Sequence, residues 1–521
     1  MLSSDVTNNT NSKWWRDPGL RKGMFHIFVL YSVVFALGYD GSLLTGLQAL
    51  PTWKRDFNSP AGYALGLISA SYFLPKIITP FFVSAIADRW GRKITLYIGA
   101  FLMIAGSLVG TFSQSRGQLI GSRIILGVGT VTAQLTAISL IPELAHPRIR
   151  GYAGSYLNTV FYIGSITAAW TTFAMLYWPS GSSWNWRLPT LIQALGPFFL
   201  AIGVWFVPQS PRWLIKQGRS AEAHQILAKY HANGGLNDEL VLLEVNEITT
   251  AVEMEKLAST SSYKTFVTTS GGRRRLGMII LVGSATQLVG NGLVSYYLVP
   301  ILRQAGITSP AQQAGINGGL AIWNWLVSML GASLVERAGR RVLFLTSLGG
   351  MFVAFVAITG LAGGYATTKL AATGIALIPF LFVFMGFYSV AMTPLPHLYV
   401  PEISPLSIRT RSVAIYLCTG SIAQTFNAFV NPIALAAIDY KYYAVYVAVL
   451  LFYICAFYFF CRETRGLTIE ESAVIYESAS TRGAAYQAEL TLRAKALEAA
   501  GGERDSTGRK VAKEEEHLED A

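Results

Sequence analysis

Apolar stretches of about 20 residues follow one another along almost the whole chain, separated by short polar turns. Each can cross a hydrocarbon layer of about 30 Å as a helix. In lipid a backbone must satisfy its own hydrogen bonds, so such runs are restricted to helices packed side by side. Spans are expected at 24–48, 61–86, 94–114, 117–141, 151–176 and 187–207, and again at 274–304, 312–335, 342–363, 371–400, 408–437 and 441–461. The expected fold is an all-α polytopic membrane protein with twelve transmembrane helices in two six-helix bundles. Composition points the same way: 52% of the 521 residues are hydrophobic and only 13% are charged, where soluble domains carry about a quarter.

A charged hexapeptide then divides the chain in two. Asp88-Arg89-Trp90-Gly91-Arg92-Lys93 returns 248 positions later as Glu336-Arg337-Ala338-Gly339-Arg340-Arg341. Pro142-Glu143 followed by Arg150 is matched by Pro401-Glu402 followed by Arg409. Two duplicated motifs at nearly one offset imply two similar halves in the same orientation, a design used to move a solute between them. The expected organisation is a tail (1–23), a bundle (24–207), a polar loop with short helices (208–273), a second bundle (274–461) and a tail (462–521). Basic residues crowd the hexapeptides, Arg148, Arg150, Arg273-Arg274-Arg275 and Arg409, so these turns and both termini are expected in the cytoplasm, with the protein in the plasma membrane. The net charge of +12 expresses this asymmetry and attraction to anionic lipid, and no nucleic-acid partner is expected. The three cysteines lie in or beside late spans and support no disulfide or metal site.

Ionisable residues inside a span are costly and therefore functional candidates. Asp40 and Arg123 come out at similar depth, counted at about 1.5 Å per residue. Such a pair can pass a proton or stand as a permanent bridge, and the residues alone leave both open. Lys76, between Pro75 and Pro80, can meet an anionic substrate group or a carboxylate, or simply face a cavity. Asn158, Ser165, Gln287, Asn291, Tyr297, Asn324 and His397 mark a polar cavity suited to a polyhydroxylated ligand, although amides also bind helices to one another. No phosphate-cradling loop, metal-ligand spacing or nucleophile elbow occurs, so an enzyme is not expected, nor a cofactor or metal.

From about residue 24 to 471 these motifs resemble the sugar porter family of the major facilitator superfamily. The resemblance rests on Gly38-Tyr39-Asp40, the hexapeptides, Arg123 with Gly127 and Gly129, Pro142-Glu143 with Arg150-Gly151, Pro208 to Leu214, and Glu463-Thr464-Arg465-Gly466. Gly290 to Tyr297 resembles the fungal lactose permease and cellodextrin transporter branch. The resemblance implies a central sugar site, alternating access, Asp40 as the proton-coupling acid and Arg123 as its partner. It places Asn158, Ser165, Gln287 and Asn324 on the sugar. It also implies a cytoplasmic gate linking Asp88, Arg89, Arg92, Glu143 and Arg150, and likewise Glu336, Arg340, Glu402 and Arg409. Gln209 departs from the family by standing where its loop motif carries an acid. The expected activity is proton-coupled import of a sugar, a disaccharide such as lactose or cellobiose or else a hexose, by a monomer. The alternatives are transport of a sugar acid or related anion on the same fold, and a non-transporting sugar sensor.

Overall fold

The computed structural model describes residues 9–477 except 12, 180, 259–262, 406, 407 and 468, with isolated positions up to 491. The side chains of 151, 152, 154–158, 254–258, 332, 335, 336, 410, 469 and 470 also lie outside the described residues. No strand occurs among the described residues, and helices occupy every expected span. The uninterrupted spans are Pro18–Leu47, Arg92–Thr111, Arg116–Leu144, Pro147–Ala174, Pro310–Ala338, Arg340–Thr368, Arg409–Ile438 and Tyr442–Phe460. Four others are broken. The second is Gly62–Phe73 and Pro75–Trp90; the sixth is Trp184–Ile192 and Leu195–Gly203. The seventh is Ser270–Leu288 and Asn291–Gln304; the tenth is Ala371–Ala391 and Leu395–Glu402. Irregular backbone at membrane depth is tolerated where it is buried in protein or lines a cavity, so these breaks mark the interior.

Capping explains where the ends fall. The first span begins six residues earlier than its apolar run, because Asp17 accepts from Leu20 N at 2.9 Å and Pro18 occupies the first helical position. Gly91 and Gly339 adopt the same left-handed conformation, φ +88° and +89°, so both hexapeptides make the same turn. Helices pack closely where glycine leaves room. A Cβ at Gly38 would lie 1.8 Å from Phe161 O, and one at Gly164 would lie 2.0 Å from Phe35 O. The first and fifth spans therefore touch backbone to backbone.

The two halves meet on the face opposite the charged turns. Leu43, Leu47, Trp53, Phe57 and Leu65 join the apolar core of Val294, Leu298 and Leu302 in the seventh span. Thr45 Oγ1 donates to Ser295 O at 2.8 Å and Gln48 Nε2 to Tyr296 O at 3.0 Å. Tyr162 and Thr393 hydroxyls meet at 3.3 Å nearer the middle. The molecule is thus sealed on the side away from its charged turns.

On the charged-turn face the polar loop folds into the short helices Pro211–Lys216, Ser220–His231, Glu239–Ala258 and Thr265–Thr268. His231 is buried there, with Nδ1 2.6 Å from Glu244 Oε2 and Nε2 3.2 Å from Leu144 O. Its ring packs on buried His146, whose Nδ1 accepts from Arg148 N at 3.2 Å. Burial, then His231, Arg148 and Arg150, push the His146 imidazole down to about 3 from an ordinary 6.5. The unfolded chain thus binds the extra proton between these values. His146 contributes stability that is complete above about pH 6.5 and declines as pH falls towards 3. Melting of the purified protein should weaken between about pH 7.5 and 5, and His146→Asn should remove about 2 kcal/mol of that dependence. An identical pH dependence in the variant would contradict this assignment.

Candidate functional site: a polar interior between two charged turns

Asp40 is fully buried in the first span. Its Oδ1 accepts from Gln193 Nε2 at 2.6 Å, and its Oδ2 accepts from Thr130 Oγ1 at 3.3 Å. Gln193 stands at the break in the sixth span, where two short helices meet. The Asp40–Arg123 ion pair expected from depth is not formed. Arg116 opens the fourth span by donating to Phe57 O and Asn58 O, both at 2.9 Å. Those residues lie past the end of the first span, so the fourth span begins beyond it. Thr130, two turns from Arg123, is consequently the residue that reaches Asp40.

Arg123 instead lies over the ring of Tyr72, 5.1 Å from its centroid, with its Nε buried and unpartnered. Gly127 permits this contact: a Cβ there would lie 2.4 Å from Tyr72 O. Lys76 approaches the same ring, with Nζ 4.7 Å from the Tyr72 centroid and 5.2 Å from that of Phe73. One tyrosine therefore carries two cations.

The remaining expected cavity residues divide into those with a free edge and those without. Asn291 and Asn324 are buried, each with a side-chain carbonyl oxygen that lacks a partner. Gln287 is half-buried, and its backbone oxygen accepts from Asn427 Nδ2 at 2.6 Å, which braces the break after Leu288. Ser165 is tied to Ser42 at 2.6 Å. His397 is exposed and packs edge-on against Tyr416. The side chain of Asn158 lies outside the described residues. Tyr297 is a correction: it is fully buried and its hydroxyl donates to Ala428 O. Gly290, at φ +104°, and the non-helical Tyr297 turn the segment, so half-buried Tyr296 takes the accessible position, accepting from Gln424 Nε2 at 3.1 Å. Polar residues in this interior cluster at helix breaks: Lys76, Gln193, Gln287, Asn291 and His397 each lie within a few residues of one.

The charged turns form two related clusters, each confined to its own half among the described residues. In the first, Arg92 reaches Asp88 at 3.2 Å and Glu143 at 3.9 Å, while Ser210 Oγ donates to Glu143 at 2.6 Å. In the second, Arg340 pairs with Glu402 at 2.9 Å, and Thr464 Oγ1 donates to Glu402 at 2.7 Å. Arg150 stands apart from the first cluster: it engages Glu244 of the loop helix Glu239–Ala258 at 3.3 Å. Arg409 donates to Ser404 O at 3.2 Å. Arg89 is exposed beside Trp90, and the side chain of Glu336 lies outside the described residues.

The structure adds a third duplicated element. Gln209 Oε1 accepts from Lys93 N at 3.2 Å, just as Glu463 accepts from Arg340 N and Arg341 N at 2.8 and 3.0 Å. Gln209-Ser210 and Glu463-Thr464 are thus equivalent pairs, an acceptor that caps the span after the glycine turn and a hydroxyl that holds the Pro-Glu acid. Burial raises the Glu463 carboxyl, but the backbone N–H groups of Arg465, Arg340, Arg341 and Thr464 outweigh it and hold the group below its ordinary range.

The family model "Sugar (and other) transporter" matches residues 26–476. The chain is 29% identical to the Sugar transporter STL1 of Saccharomyces cerevisiae, over 89% of this chain and 83% of that protein. It is 28% identical to the Probable metabolite transport protein CsbC of Bacillus subtilis, over 87% and 94%. The fold resembles the inward-open xylose transporter XylE from E. coli, with a TM-score of 0.70 and 21% identity over 87% of this chain and 99% of that one. It also resembles the proton:xylose symporter XylE bound to 6-bromo-6-deoxy-D-glucose, with a TM-score of 0.69 and 20% identity over 88% and 99%. The chain belongs to the sugar (and other) transporter family.

Proposed function

We propose that this sugar transporter is a proton-coupled symporter of the plasma membrane, importing its cargo through the polar interior between the two halves. The observation that carries the reading is Asp40: a carboxyl in the bundle interior, held by two neutral donors and not locked to Arg123. Such a group can lose its proton to one side and regain it from the other as the halves rock, with Arg123 available as the partner of its charged form. The charged turns are placed in the cytoplasm by their basic residues, so the seal at Thr45, Gln48, Ser295 and Tyr296 is extracellular and the arrangement faces inward. Asn291, Asn324, Gln287 and Tyr296 supply hydrogen bonds to a sugar, with Ser165 and His397 on the same interior. The curated relatives also include a hexose transporter of Kluyveromyces lactis and one of Saccharomyces cerevisiae, each 26% identical, which favours a cargo of monosaccharide size over lactose or cellobiose. One chain surrounds the whole pathway, so a monomer suffices.

Asp40→Asn should abolish accumulation of radiolabelled sugar against a gradient, by at least about tenfold, while retaining exchange of sugar across a vesicle membrane. Accumulation at the original level in that variant would return Asp40 to a structural role. Sugar binding without flux in reconstituted vesicles would favour the sensor reading.

The two Arg–Glu clusters are proposed to govern the balance between inward- and outward-facing states. The second is shorter, 2.9 Å against 3.9 Å, so Glu402→Gln should slow uptake more than Glu143→Gln. Equal uptake by both variants and the parent would limit the clusters to membrane insertion.

A further inference from the structure

Around Tyr72 the interior holds two cations and one carboxylate. The carboxylate, Asp40, is occupied by Gln193 and Thr130. Arg123 is only 5% exposed, its Nε has no partner, and neither it nor Lys76 has an ion pair or hydrogen bond among the described residues. A ring face answers only part of what a cation loses when it is drawn out of water. The cations are therefore underpaid by the protein alone, and an interior with one surplus positive charge calls for an anion. Hydroxyl and amide groups of Tyr296, Gln424 and Asn291 lie on the neighbouring seventh and eleventh spans. Tyr296 connects them to this corner, its ring centroid 5.2 Å from that of Phe73, which also carries Lys76.

We infer that the cargo is a sugar acid, a hexuronate or hexonate whose carboxylate docks between Lys76 and Arg123 while its hydroxyls bond to the seventh and eleventh spans. The inference rests on the transport reading of the same cavity and names its substrate class. It also fixes the charge balance. One proton taken up at Asp40 and one carboxylate at Lys76 and Arg123 cross together as a neutral pair, so coupled import carries no net charge.

The purified full chain in lipid nanodiscs tests this with D-glucuronate and D-glucuronamide, which differ in charge but hardly in shape. Intrinsic tryptophan fluorescence should report glucuronate binding at least about tenfold tighter than the amide. Lys76→Met should bring that ratio close to one, and Lys76→Arg should restore most of it. In proteoliposomes, glucuronate uptake driven by a proton gradient should not change when a potassium–valinomycin potential is imposed. Equal affinity for acid and amide in the parent protein would overturn the inference, whatever the variants do, as would a preference that survives in a folded Lys76→Met. Vesicles that take up glucose but not glucuronate would overturn the sugar-acid assignment and leave sugar transport standing. Vesicles that take up neither would overturn both.

Discussion

A charge inside a lipid layer must be answered by the protein, and the answer given to Asp40 organises the first half of this molecule. Gln193 can reach it only because the sixth span breaks at that residue. Thr130 can reach it only because the fourth span begins beyond the end of the first. The close approach of the first and fifth spans at Gly38 and Gly164 then packs the helix that carries Asp40 against its neighbour, and Tyr39 anchors it through a 2.9 Å bond to Pro189 O. A buried carboxyl held by neutral donors is not fixed in its charged form by a permanent cation, so it can exchange a proton.

The same logic recurs at the ends of the helices. Each half closes its glycine turn with an acceptor that caps the next span and a hydroxyl that holds the Pro-Glu acid. The bonds described in each cluster join residues of one half, which suits a half that moves as a unit. The halves are joined where the second span packs on the eleventh and the fifth on the eighth, and Thr45, Gln48 and Tyr162 bond across on the opposite side or near the middle. A rigid half pivoting about such a seam is what alternating access requires.

The twelve spans were legible because hydrophobicity over 20 residues is a strong signal, and the paired hexapeptides because charge in such a chain is rare. The partner of Asp40 was not legible. Counting residues from the ends of two spans assumes that both ends lie at one level, and the Pro51–Asp56 helix breaks that assumption. A regular helical count does not show which of Tyr296 and Tyr297 faces the interior, because the turn at Gly290 rotates the segment. Gln209-Ser210 escaped recognition as a repeat of Glu463-Thr464 because the equivalence lies in hydrogen bonding and not in residue identity. The resemblance joins Arg150 to Asp88, Arg92 and Glu143, while its partner Glu244 arrives from a loop helix whose docking only the fold reveals.

Proton movement itself is the most direct test of the central claim. With a pH-sensitive dye enclosed in proteoliposomes, addition of external cargo at equal pH on both sides should acidify the interior by one proton for each molecule that enters. Entry of the same cargo with no change in internal pH would contradict coupling through Asp40.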